Sequence, residues 1–274
     1  MNTLYTIGIW SLVVSFGILV VPAGISARLR LGITREIVWA AIRAAVQLIA
    51  VGYVLGWVFA RRSPMLSIVF LLIMIAIAGI NTQRRQKFPM RWLWLKASLV
   101  IAAATAVPLV FILIVVVKPD PWYAPHILIP LGGMIMGNAM TSVVLGLDRF
   151  YSGLRDRWRS VETSLTLGAT SFRAALPIIQ GTARASLLPI INNMMVMGLV
   201  HFPGMMTGQL TAGASPVQAA RYQLMILYAI ATANSLATLS VIWLGIRHFF
   251  TRNHQIKYTT LEKENEKNRK NKLN

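Results

Sequence analysis

The chain has 274 residues, 56% of them hydrophobic and only 13% charged, with 27 Lys and Arg against 8 Asp and Glu for a net charge of +19. A soluble domain carries about 25% charged residues, so this chain has too few ionic groups to cover a water-facing surface. A nucleic-acid binder of the same basicity would not be this apolar, and the lack of cysteine excludes disulfides, thiolate metal sites and thiol chemistry.

A bilayer core about 30 Å thick needs about 20 apolar residues in a helix. Suitable stretches fall at roughly 4–27, 36–60, 64–80, 92–117, 125–147, 186–210 and 221–249. They predict an all-α, polytopic membrane protein with about seven transmembrane helices. The first stretch has no charged flank of the kind that starts a cleavable signal, so it reads as a retained span. The third is short. The sixth is interrupted by Pro203 and Gly204, which predicts a kinked or re-entrant element.

The cations orient these spans. With the N-terminus outside, Arg61, Arg62, Lys118 and Arg221 lie outside and Arg43 lies within the second span. The other 22 of the 27 cations fall on the inner side. This asymmetry predicts an N-out, C-in protein in a plasma membrane, a bacterial inner membrane in the first instance. Residues 1–250 then form one membrane domain, and 251–274 a basic, partly disordered cytoplasmic tail.

Polar groups at membrane depth are costly and mark candidate functional positions. The second span carries Arg43 and Gln47 one helical turn apart. The fifth carries Gly133 and Gly137, spaced for close helix packing, followed by Asn138. The inner connection 148–185 is the longest. Phe150, Leu154, Trp158, Val161 and Leu165 form one apolar stripe of a helix. A helix lying on the membrane fits this stripe. So does a docking hairpin, because Glu162 is followed six residues later by Gly168, then by Ala169, Thr170 and a second helix start. Such a hairpin presents Leu165, Leu167 and Phe172 as an apolar knob. The sixth span holds Asn192, Asn193, His201 and Gln209, with Gly204 and Gly208 at packing spacing. Its broken backbone, with Tyr222 and Gln223 of the last span, is the candidate translocation path, as expected for broken helices near the midplane. Methionines cluster in the fifth and sixth spans, where adaptable packing explains them better than ligation does. No metal site is assigned.

The run Glu162 to Pro177 resembles the coupling loop of ABC-type permeases, in which a Glu-Ala-Ala triplet is followed after three residues by Gly; Thr163 and Ser164 stand here for the two alanines. Longer blocks are RAAVQLIAVGYVL at 43–55, GGMIMGNAM at 132–140, LTLGAT at 165–170 and GLVHFPGMMTGQLTAGASPVQAARYQ at 198–223. These resemble the Fet-type iron-export permeases, whose plant relatives are linked to aluminium tolerance. The resemblance implies the transmembrane subunit of an ABC exporter of iron or a related metal. It further implies a homodimer, energised by a separate ATPase subunit that docks on 148–185 and carries ATP and magnesium. This chain itself has no phosphate-binding Gly-x4-Gly-Lys loop and so no cofactor of its own, and it is not an enzyme. The alternative is a secondary transporter or channel for a small solute. Against proton coupling, none of the eight acids sits deep in a predicted span.

Overall fold

The computed structural model describes residues 8–86 and 90–257. The start of the predicted span 4–27, the inner cation Lys87 and the tail from 258 onward lie outside the described residues. Within them, all regular structure is helical apart from two isolated β-bridges. Two short helices, α1 (Ile9–Gly17) and α2 (Val20–Arg28), precede α3 (Thr34–Arg61) and α4 (Pro64–Arg85). Then come α5 (Leu93–Phe111), extended by a π-helical turn Ile112–Val117, and α6 (Pro125–Thr166). The chain ends in α7 (Ser171–Ala174), α8 (Leu176–Val196), α9 (Gly204–Thr211) and α10 (Pro216–Phe249).

Five of these are long and apolar enough to cross a membrane: α3, α4, α5 with its π turn, α6 and α10. They coincide with the stretches predicted at 36–60, 64–80, 92–117, 125–147 and 221–249. The protein is an all-α polytopic membrane protein. The other two predicted spans differ. In the first, the helix is interrupted at Ile18 and Leu19, so its described part is two short helices. The sixth begins earlier, at Leu176, and stops at Val196. Its interruption is Met197–Pro203, and Pro203 is the N-cap of α9 rather than the centre of a kink. Gly198 takes φ +83 there and its N–H donates to the His201 carbonyl at 3.0 Å, which turns the chain. Gln180, Arg184, Asn192 and Asn193 make α8 more polar than the five.

Helix α6 organises the bundle. Its 42 residues correspond to about 63 Å of helix at 1.5 Å per residue, with a kink at Arg157 (φ −120, ψ 18) where two helical segments join; no proline or capping residue stops it where the apolar span ends. Ile135, Ala139, Val143, Leu147, Phe150 and Leu154 line one face at helical spacing and are all at most 2% exposed. They pack on α10 and α8. The closest approach is at Gly245 of α10, where a Cβ would stand 2.7 Å from the Phe150 ring. Phe150 stacks on Phe249 at a centroid distance of 6.1 Å. Helix α4 packs on α5 through Gly79, where a Cβ would lie 2.5 Å from the Trp94 carbonyl oxygen, and Ser98 Oγ donates to the Ile75 carbonyl.

The C-terminal ends of α6 and α10 meet through Phe150, Tyr151 and Phe249. Both helices therefore point the same way, and α8 carries the chain back between them. The stripe Phe150–Leu165, which suits a membrane surface equally well on paper, is covered by protein instead. Leu154 and Val161 are buried in one cluster with Ala174, Ala175, Ile178, Phe250 and Ile256. Helix α3 stands apart, with α1 and α2 beside it. It packs on α2 and lightly on α6, and most of its apolar side chains are exposed.

Candidate translocation cavity and coupling hairpin

At the bundle end away from the α6–α10 junction, the end of α5, the start of α6, helix α9 and the start of α10 enclose a cavity of about 560 Å³. Pro125 opens α6 at its first turn, which places His126, Pro130 and Met134 at four-residue spacing along one face. Pro203 caps α9, and its next turns supply Met205 and Gln209. Ser215 caps α10 by accepting from the Gln218 N–H at 3.3 Å, with Pro216 at the first helical position; Tyr222 follows two turns in. The wall is apolar except for His126, Gln209 and Tyr222. Gln209 Oε1 is buried with no hydrogen-bond partner among the described residues. A buried amide oxygen without a donor is costly in a structural role, and here it is available to a solute.

The predicted path residues separate. Gln209 and Tyr222 line this cavity. Gln223 is buried beside it, its Nε2 reaching Met197 Sδ at 3.9 Å. Asn138 is half-buried and its Nδ2 donates to the Met134 carbonyl of its own helix at 2.9 Å. Asn192, Asn193 and His201 are exposed around the α8–α9 break, and Arg43 and Gln47 are exposed on α3. None of these five lines the cavity.

The predicted packing glycines divide within the chain. A Cβ at Gly133 would meet Met74 of α4 at 2.9 Å, as expected of a helix contact. Gly137, Gly204 and Gly208 have nothing within 4 Å. Spacing alone does not say which face meets a helix, and the other close approaches within the chain fall at Gly79, Gly132, Gly146, Gly153 and Gly245.

The opposite end carries the hairpin. Helix α6 ends at Leu167, where Gly168 takes φ +88. The Gly168 N–H donates to the Leu165 carbonyl and the Ala169 N–H to the Ser164 carbonyl, both at 3.0 Å. These paired bonds satisfy the helix-end carbonyls, and the left-handed residue between them favours glycine. Thr170 then caps α7, its Oγ1 accepting from the Arg173 N–H at 3.4 Å. The result is a helix–turn–helix tip. Leu167 is 84% exposed and Phe172 53% exposed, while Glu162, Leu165 and Ala169 are half-buried at its base and Thr170 is exposed. Of the expected knob, Leu165 turns inward to the core.

The Uncharacterised protein family (UPF0014) profile matches residues 9–250. A UPF0014 membrane protein of Synechocystis is 40% identical over 230 residues, covering 82% of this chain and 87% of its own length. The chain belongs to the UPF0014 family. Relatives of this UPF0014 protein also include the protein named Probable iron export permease protein FetB of Escherichia coli, 31% identical over 93% of this chain and 96% of its own. Another is Protein ALUMINUM SENSITIVE 3 of Arabidopsis thaliana, 29% identical over 82% of this chain and 81% of its own. No solved structure matches.

In this UPF0014 protein the sequence reasoning left His126, Met134 and Met205 out of the candidate path. The signal available was weak: a single histidine with no carboxylate partner marks no metal site, and methionines on apolar faces read as packing. Only the meeting of α6, α9 and α10 puts them around one cavity.

Proposed function

We propose that the chain is the membrane-spanning subunit of an ATP-driven exporter, worked by a separate cassette ATPase that docks on the hairpin 162–172. The observation that carries this reading is the exposed Leu167 and Phe172 on a capped, glycine-hinged tip at the far end of a 42-residue helix. Helix α6 runs from the cavity wall, which holds His126 and Met134, to that tip, with one break in its helical geometry at Arg157 (φ −120, ψ 18). Movement of the tip is passed along it to the cavity wall through that joint. The hairpin and C-terminus face the cytoplasm, the side on which the cation map places 22 of 27 basic residues. The chain crosses seven times, with α1–α2 and α8 supplying the crossings beyond the five long helices.

The cargo is iron or a related metal, as the name of the Escherichia coli relative suggests. The imidazole of His126, the phenol of Tyr222 and the amide of Gln209 are nitrogen and oxygen donors of a kind iron accepts; the thioethers of Met134 and Met205 are softer. Two copies form the transporter. Arg43 and Gln47 project from the unpacked face of α3 at membrane depth, where lipid offers a cation no partner. A second copy covers that face.

The test is co-expression of the tagged chain with the cassette ATPases of its own genome, one at a time. One of them co-purifies, and its ATP hydrolysis responds to the permease. Replacing Leu167 and Phe172 together by Asp abolishes both effects while the permease stays folded. ATP-independent flux through the chain alone in proteoliposomes refutes the reading in favour of a channel or secondary carrier.

A further inference from the structure

The residues just past α10 fold back onto the hairpin. Phe250 and Ile256 form an isolated antiparallel bridge and are 3% and 6% exposed. The Thr251 N–H donates to the Gln255 carbonyl at 2.8 Å and the Lys257 N–H to the Phe249 carbonyl at 2.9 Å, closing a tight turn. His254, at φ +56, sits at its tip. Its Nδ1 accepts the Ser171 backbone N–H at 3.2 Å and lies 2.9 Å from Ser171 Oγ. A backbone N–H only donates, so Nδ1 is the acceptor and the ring carries its proton on Nε2. Ser171 is the first residue of α7. The tip of the hairpin is thus held by a side chain 83 positions away in sequence.

The same turn walls a cleft. Asn253, His254 and Gln255 face Glu162, Thr166 and Gly168 across an open space of about 660 Å³ at the base of the tip. Around the cleft, the elements that form it carry exposed Arg155, Arg157, Arg159, Arg173 and Arg252, against two acids, Asp156, which pairs with Arg155 at 3.4 Å, and Glu162 in the cleft wall.

We propose that the turn 250–257 is part of the ATPase-docking surface, that His254 is the positioning residue that sets the hairpin tip, and that the ATPase surface facing the arginines around the tip is acidic. This rests on the docking reading above. Charge complementarity names the occupant: a soluble subunit with an apolar socket for Leu167 and Phe172 and carboxylates around it.

The test uses the full-length chain with the co-purifying cassette ATPase. His254→Gly removes the acceptor yet tolerates the positive φ, and His254→Asn keeps both an acceptor oxygen and that φ. In His254→Gly, hydrogen exchange at 171–175 rises roughly tenfold, the scale of one or two lost hydrogen bonds. ATPase retention falls by a similar factor, the thermal midpoint holds, and His254→Asn restores both readouts. Raising salt from about 0.05 to 0.5 M weakens retention as exposed charges are screened. Unchanged exchange, or faster exchange with full retention, overturns the role of His254. A loss that follows a fallen midpoint and is not rescued by Asn shows a merely structural part and also overturns it. Salt-independent retention overturns the acidic partner. If the wild-type chain retains no cassette ATPase, the docking reading itself fails, and this inference with it.

Discussion

Gly168 isolates the backbone requirement of the hairpin from its packing. Its φ is +88 and a Cβ there would meet nothing within 4 Å, so Gly168→Ala introduces no clash. What it introduces is the left-handed penalty of an L-residue, about 1–2 kcal/mol, which lowers the ratio of closed to open turn by a factor of roughly 5–30. Gly181 of α8 is the matched control: it too has open space around its Cβ, but in a right-handed helix, where Ala stabilises by about 1 kcal/mol. The measurement is the affinity of the purified permease for its cassette ATPase, with thermal unfolding alongside. Gly168→Ala weakens association by up to that factor, Gly168→Asn by less, because Asn enters the left-handed region more readily, and Gly181→Ala leaves it unchanged. If Gly168→Ala is as harmless as Gly181→Ala, or Gly168→Asn as damaging as Ala, the turn does not control docking.

At Gly245 an added methyl overlaps the Phe150 ring, so Gly245→Ala lowers stability by about 1–3 kcal/mol, read as a fall in thermal midpoint in detergent. Leu154 is 0% exposed, and Leu154→Ala costs about 2–5 kcal/mol; a smaller cost would show that the stripe is not covered by protein. Gln209→Leu removes a buried oxygen that has no partner, so stability changes little while iron transport in vesicles falls; preserved transport would remove Gln209 from the path. The chain has no cysteine of its own, so Tyr53→Cys on the exposed face of α3 reports a second copy directly: oxidised membranes show a cross-linked dimer, and a chain that stays monomeric refutes the interface.

Much of the fold was legible in the residues. Apolar runs of bilayer length mark α3, α4, α5, α6 and α10, since a lipid-facing helix must be apolar along its whole length. Gly168 marks the hairpin turn, because few other residues take its φ without cost. The break after Val196 was legible only as to its existence: Pro203 announces a stop, but a proline ends one helix or begins another with equal ease.

The sequence by itself determined which segments are helical, which are apolar enough for a membrane, and where the chain must turn, because these depend on residues within a few positions of each other. It showed that the 150–165 stripe needs cover. Only the tertiary structure decided that the cover is α7, α8 and the turn 250–257 rather than lipid, since an apolar face prefers any dry surface. Only the tertiary structure assigned close packing to Gly245 and withheld it from Gly137, Gly204 and Gly208, and only there do His126 and Gln209 share a cavity and His254 reach Ser171. The His254–Ser171 contact spans 83 positions and Gly245 meets Phe150 from still further along the chain, and local spacing holds no record of which distant surface will arrive.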